Sequence, residues 1–162
     1  MRIGVVADTH VPIFAPKVPE KLWTALEGCD HVIHAGDFHT YEVYREFASR
    51  FPLTAVIGNR DEFPESPEVP ERQILEVNGF RIGVTHGFGP PRGTEKRVVK
   101  FWKDDPPDLL IFGHSHEPGI HKLEGFKLLN PGSPTDKLSN DHPSYAILEL
   151  KDEILIEIHE LK

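Results

Sequence analysis

The chain has 162 residues, with 26 acidic side chains against 18 basic ones and a formal charge of -8. That length suits one domain, 1–162, with a sizeable core, and the acidic balance argues against a sequence-independent nucleic-acid binder, which needs a basic stripe to offset phosphates. No apolar run approaches the ~20 residues that span a bilayer, and the opening "MRIGVVADTH" carries neither an h-region nor a cleavage site, so a cytoplasmic location is expected.

Short β-branched runs alternate with helical patterns through the first half. "RIGVVAD" (2–8) reads as a buried strand. "PEKLWTALEG" (19–28) reads as a helix with Leu22, Ala25 and Leu26 on one face and Gly28 past its end. "HVIHAGD" (31–37) is a second strand and "TYEVYREFASR" (40–50) a helix with Val43, Tyr44 and Phe47 inward; "LTAVIGN" (53–59) is a third strand. Cys29, the single cysteine, cannot form an intramolecular disulfide and reads as a small buried hydrophobe. The β-α-β-α-β order predicts a parallel sheet with helices packed on it.

The second half changes style. Residues 72–87 are two strands around an Asn78-Gly79 turn. "TEKRVVKFWKD" (94–104) is an amphipathic helix, with Val98, Phe101 and Trp102 inward and Lys96, Lys100 and Lys103 in solvent. "DLLIFGHSH" (108–116) is an apolar strand ending in histidines, and hairpin-like pieces follow over 119–130 and 144–161. The proline-rich segments 63–70 and 87–92 are loops. The expected architecture is α/β, two mixed sheets packed face to face and flanked by helices.

Polar clusters follow these apolar strands at or near their carboxyl ends: "ADTH" (Asp8, His10), "HAGD" (Asp37), "GNRD" (Asn59), "THG" (His86) and "GHSH" (His114, His116). Ligands bind at the carboxyl ends of strands in open α/β sheets. A single "GD" or "GN" is ordinary turn punctuation, and a single histidine after a strand is more often structural. The succession of clusters, each closing a strand, is what points to a shared site. Its carboxylates, imidazoles and amide oxygen are mixed nitrogen and oxygen donors, which suit two divalent transition metals.

The order D-x-H, GD, GN-x-D, H, GH-x-H resembles the calcineurin-like metallophosphoesterase superfamily, over nearly the whole chain. "IHAGD" and the late "NPGSP" (130–134) are similar to its small bacterial and archaeal phosphodiesterase branch. The resemblance implies a four-layer α/β/β/α sandwich and a metal-dependent phosphodiesterase, hydrolysing small phosphate esters with a hydroxide bridging two metals. It also implies that Asp8, His10, Asp37 and His116 hold the first metal and Asp37, Asn59, His86 and His114 the second, with Asp37 using its two oxygens to bridge ions ~3.5–4 Å apart. Manganese is the first expectation among Mn, Fe, Ni, Co and Zn. The competing class is a catalytically weak interaction scaffold, as in a retromer subunit of similar fold; that every ligand position is filled by a competent residue favours the enzyme. An open cleft walled partly by the loops 63–70 and 87–93 is expected; duplex nucleic acid is not an expected substrate, and a homodimer is compatible with exposed strand edges.

Arg60 stands where the superfamily commonly has histidine. Guanidinium stays protonated and cannot donate a proton to a leaving oxygen, but its planar fork can bind phosphoryl oxygens. The alternative is a turn clamp paired with Asp61 or Glu62. His34 is expected to be structural or to support the ligands, and His39 is a weaker candidate for facing the site. His31, His121, His142 and His159 have no motif support. Asp61 is expected to orient its own turn or a neighbouring ligand, and 130–134 to form a rigid turn near the cleft with substrate contact as a second role.

Overall fold

The computed structural model describes residues 1–64, 68–139 and 142–162. In chain order the elements are β1 (Arg2–Val6), α1 (Glu20–Leu26), β2 (His31–His34), α2 (Tyr41–Arg50), β3 (Leu53–Ala55), β4 (Arg72–Val77), β5 (Phe80–Thr85), α3 (Thr94–Trp102), β6 (Leu109–Ile111), β7 (Gly119–Leu123), β8 (Phe126–Asn130), β9 (Ser144–Leu150) and β10 (Ile154–Glu160). They form two five-stranded sheets, ordered β10-β9-β1-β2-β3 and β4-β5-β6-β8-β7. In the first, β1, β2 and β3 run parallel, with β9 and β10 added antiparallel. In the second, β5, β6 and β8 run parallel, and β4 and β7 are antiparallel edges.

The central strands are apolar on both faces because each sheet is covered twice. Alternate residues Ile3, Val5 and Ala7 meet Ile33, Val84, Ile111 and Leu129 between the sheets. Val6 and Val32 point the other way, onto Leu22, Trp23 and Leu26 of α1 and Val43 and Phe47 of α2, where Cys29 also packs half-buried. On the far side Leu110, Phe112 and Leu128 meet Val98, Val99 and Trp102 of α3. The result is the expected four-layer α/β/β/α sandwich. Asn78 and Gly79 both take positive φ, 50° and 80°, which is the two-residue hairpin geometry predicted for that pair.

Two local readings change. In α3 the buried stripe is Thr94, Val98, Val99 and Trp102, while Phe101 sits at the stripe's edge, 38% exposed. Its ring lies under the Arg72 guanidinium, 5.3 Å away, and edge-on to Phe88. In α1, Trp23 takes the inward position expected of Ala25. The strands also stop short. Asp8, Asp37 and His114 adopt φ of 55°, 59° and 73°, a left-handed backbone that no strand can include.

Trp102→Ala is expected to lose about 3–5 kcal/mol, because the ring is fully buried between α3 and the second sheet. Phe101→Ala should lose less than about 1 kcal/mol. Urea unfolding of the two variants measures the contrast.

Candidate metal centre

All six parallel strands, β1, β2, β3, β5, β6 and β8, deliver polar residues from their carboxyl ends to one edge of the sandwich. The loops that follow carry the chemistry, and their backbone is shaped to do so. Besides Asp8, Asp37 and His114, both His10 and His116 have positive φ, 42° and 58°. For residues other than glycine this costs about 1 kcal/mol or more each. It turns side chains two apart in sequence around a common centre instead of along a strand face.

The seven side chains expected as ligands do converge. Asp37 Oδ2 lies 3.4 Å from His10 Nε2 and 3.2 Å from His86 Nε2. Asp8 Oδ1 lies 3.7 Å from His10 Nε2 and 3.5 Å from His116 Nε2. His10 and His116 face each other Nε2 to Nε2 at 3.1 Å. Asn59 Oδ1 lies 3.1 Å from His86 Nε2 and 3.0 Å from His114 Nδ1.

Hydrogen bonds on the outer side of the rings fix what the inner side presents. His86 Nδ1–H donates to the Ala35 carbonyl at 2.7 Å, His114 Nε2–H to the Gly89 carbonyl at 2.6 Å, and His116 Nδ1–H to Asp136 Oδ2 at 2.6 Å. Each ring therefore turns its other nitrogen inward, toward carboxylate, amide or imidazole acceptors. Histidine ligands are oriented this way in metal sites. Acceptors at these distances need positive charge between them, and divalent cations or protons can supply it. Two groups of compatible ligand atoms, Asp8–His10–His116 and Asp8–Asp37–His86, lie within the span of one ion each. The residues fit divalent metals.

Without ions the protons do the work. Burial disfavours a charged His86, yet Asp37 and Asp8 outweigh it and hold its pKa at about 9. Burial likewise opposes charge on His116, and Asp8 with Asp136 raises it to about 9. Burial pushes the Asp8 carboxyl up, but His10 and His116, then His86, hold it well below the usual carboxylate range. For Asp136 burial is again overcome, here by the Ser139 N–H and His116, which bring it to about 2.

Asp61 is the hub behind these ligands. Its carboxylate accepts the backbone N–H of Gly58 at 2.7 Å, His39 at 2.8 Å and Asp37 at 3.1 Å, tying the loop after β2 to the loop after β3. Arg60 contributes its backbone N–H to Asp37 Oδ1 at 2.8 Å. Oδ2 of Asp37 is the oxygen that faces both the His10 and the His86 ring. Gly58 permits this closeness: a Cβ there would overlap Asp37 Oδ1.

The Arg60 side chain lines the cleft and forms no ion pair with Asp61 or Glu62, the clamp that the sequence left open. His39 lines the cleft too, its Nδ1 buried without a partner. His34 is fully buried behind the ligands. It accepts the Gly36 N–H on Nδ1 and donates from Nε2 to Thr9 Oγ1, each at 3.2 Å, and burial holds its pKa well below normal. His31 bonds Thr54, His142 approaches Glu160 and His159 stacks on Tyr145, all away from the cleft.

The turn 130–134 braces the ligand loops from below. Ser133 Oγ donates to the Asp8 carbonyl at 2.7 Å, and the Asn130 amide donates to Gly113 O and Ser115 Oγ. None of its residues lines the cleft. Sequence reasoning missed Asp136, three residues beyond Ser133; an acid closing the "NPGSPTD" loop was the available signal. Of the two loops expected to wall the cleft, one does so among the described residues. Gly89 and Pro91 of the loop 87–93 do line it, but no described residue of 63–70 does, and 65–67 lie outside the described residues. Ile13 and Phe14, after His10, take that place.

Residues 1–153 match the family model of the calcineurin-like phosphoesterase superfamily domain. A probable metallophosphoesterase of Methanothermobacter thermautotrophicus is 37% identical over 155 residues, 96% of this chain and 89% of that protein. Among solved structures, Vps29 of Entamoeba histolytica complexed with Zn²⁺ superposes with a TM-score of 0.77 at 24% identity, covering 100% of each chain. A structure described as a novel archaeal phosphodiesterase gives 0.70 at 22% identity, covering 98% of this chain and 100% of that one. These two likenesses bear on the fold.

Two outcomes follow from the geometry. The folded pKa of His86 and His116, about 9, lies above the unfolded value of 6.5. Their contribution to stability is therefore complete below about pH 6.5 and lost as pH rises through about 9. Melting temperatures of chelated protein should fall across that interval, while added Mn²⁺ should stabilise more as pH rises, since ions and protons compete for the same nitrogens. Separately, Asp136→Asn should weaken metal affinity by about 10–100-fold with the fold intact, as read by metal titration calorimetry and circular dichroism.

Proposed function

The chain belongs to the calcineurin-like phosphoesterase superfamily, and from that premise we propose that it is a metal-dependent phosphodiesterase acting on small phosphate esters through a single domain. The observation that carries the reading is the shared oxygen. Asp37 Oδ2 stands between the His10 and His86 rings, so one carboxylate serves an Asp8–His10–Asp37–His116 group and an Asp37–Asn59–His86–His114 group. Two divalent ions, when bound there, supply Lewis-acid charge for the phosphoryl oxygens and lower the pKa of water enough for it to attack phosphorus. Nitrogen and oxygen donors without thiolate make manganese our first assignment, with Fe, Ni, Co and Zn as alternatives.

The protein's own groups bind and orient the ester. The neutral Asn59 amide adds a ligand without adding negative charge. Arg60 reaches the cleft with its fork free of the neighbouring acids, and it is the one Lys or Arg among the described residues lining the cleft. A single side-chain cation beside the metals matches a monoanionic diester better than a dianionic monoester. It offers hydrogen bonds to the phosphoryl oxygens and no proton to the leaving oxygen. The cleft, of roughly 590 Å³, has room for a small ester.

The scaffold reading has one observation in its favour, the likeness to Vps29. One experiment separates the two. Chelated protein is reloaded with each metal and assayed on bis(p-nitrophenyl) phosphate, p-nitrophenyl phosphate and duplex DNA. Diester turnover that chelation abolishes, with weaker monoester turnover and intact DNA, is expected; folded protein that takes up no metal overturns the enzyme reading. Within the enzyme, rates should fall steeply as leaving-group pKa rises. Arg60→Ala should lower kcat/KM by roughly tenfold to a thousandfold, the scale of one to three lost charge-assisted contacts, and an unchanged rate would remove Arg60 from the mechanism.

A further inference from the structure

The cleft is unlike at its two ends. Asn59 flanks the His86–His114 side, whereas Phe14 flanks the His10–His116 side, and Phe14 and its neighbour Ile13 bring no polar atom of their side chains to the cleft. The Phe14 ring centroid lies 4.8 Å from that of His10 and 5.8 Å from that of His116. Ile13 is 62% exposed and Phe14 38%. Scattered exposed apolar residues need no explanation. Two in succession lining a polar cleft, one of them packed against the His10 and His116 rings, do.

Their loop is not loose. The backbone N–H groups of Ile13 and Phe14 both donate to the His10 carbonyl, at 2.7 and 2.9 Å, and Val11 N–H donates to Phe38 O at 3.1 Å. The loop thus starts from a ligand residue and is pinned to the segment that follows Asp37. An aromatic face held at a fixed distance from the phosphoryl site is a stacking platform, and it accepts any planar ring because every base offers a π-face.

We infer that Phe14, flanked by Ile13, is a specificity-determining platform that stacks the nucleobase of a nucleoside phosphate ester while the phosphoryl group sits over the ligand cluster. This deepens the phosphoesterase reading and rests on it for the placement of the phosphoryl group. The side chains of the platform hold no hydrogen-bond donor or acceptor, so purines and pyrimidines are accepted alike, and Arg60, which lines the same cleft, offers its guanidinium to the phosphate.

Binding tests the inference independently of turnover. AMP and ribose 5-phosphate carry the same phosphorylated sugar and differ by the base. Their Kd values are measured by calorimetry on Mn²⁺-loaded wild type, Phe14→Ala and Phe14→Trp. In the wild type AMP should bind about 5- to 100-fold tighter, the scale of one base–aromatic stack. That ratio should collapse toward one in Phe14→Ala and persist in Phe14→Trp. Equal affinities in the wild type, a ratio that Phe14→Ala leaves alone, or an equal loss for both ligands would overturn it, the last because Phe14 would then only be packing the His10 and His116 rings. A protein without diesterase turnover that still shows the Phe14-dependent ratio would sink the catalytic reading and keep the platform.

Discussion

Around Asp37 Oδ2, electron pairs meet electron pairs. The Nε2 atoms of His10, His86 and His116, the Asn59 amide oxygen and the Asp8 carboxylate all point into the same few ångströms, and where the rings are unprotonated nothing in the covalent chain cancels the resulting repulsion. Only positive charge does. Most of the unusual features nearby can be understood as restraints against this spring. Asp61 ties down the two loops, Gly58 lets them touch, Asp136 locks His116, and the Ala35 and Gly89 carbonyls lock His86 and His114. Such preorganisation is what makes a polar site selective for cations, because little rearrangement is left for the moment of binding.

The fold supplies the restraints from a distance. Asp8, His10, Asp37 and Asn59 hang from the first sheet and His86, His114 and His116 from the second. Between them lies a close-packed layer of Ile, Val and Leu from both sheets. The relative position of the two ligand sets is therefore set by how those side chains interdigitate, at a density where even one methylene is felt. The His114 N–H to Asp8 carboxylate contact, at 3.0 Å, bridges the sheets directly at the site's edge.

Much of this was legible in the residues. That these polar side chains gather at one edge could be read because each follows a recognisable apolar run, and the hairpin at Asn78-Gly79 because two positive φ values demand those residue types. What could not be read was contact across long separations. Asp136 reaches His116 from 20 residues away, with no periodicity to announce it. The Ile13–Phe14 wall looked like ordinary loop sequence, since exposure at a cleft and exposure to bulk solvent have the same composition. Phe101 was assigned inward because a helical stripe has edges, and an aromatic at the edge satisfies the pattern while staying partly in water. The readings of Arg60 divided for a related reason: only placement shows that Asp61 is already occupied by three backbone N–H groups.

The sharing of ligands between the sheets has a consequence for the chain's own biogenesis. In the first sheet β1 pairs with β9, so the strand that precedes Asp8 has one neighbour near the beginning of the chain and another near its end. A polypeptide still emerging from the ribosome owns Asp8, His10, Asp37 and Asn59 long before it owns His114, His116 and Asp136. Contacts of such separation form late, after the entropy of closing a long loop has been met. The nascent chain therefore has no complete cluster, and the final assembly of the sandwich is also the step that brings these side chains together.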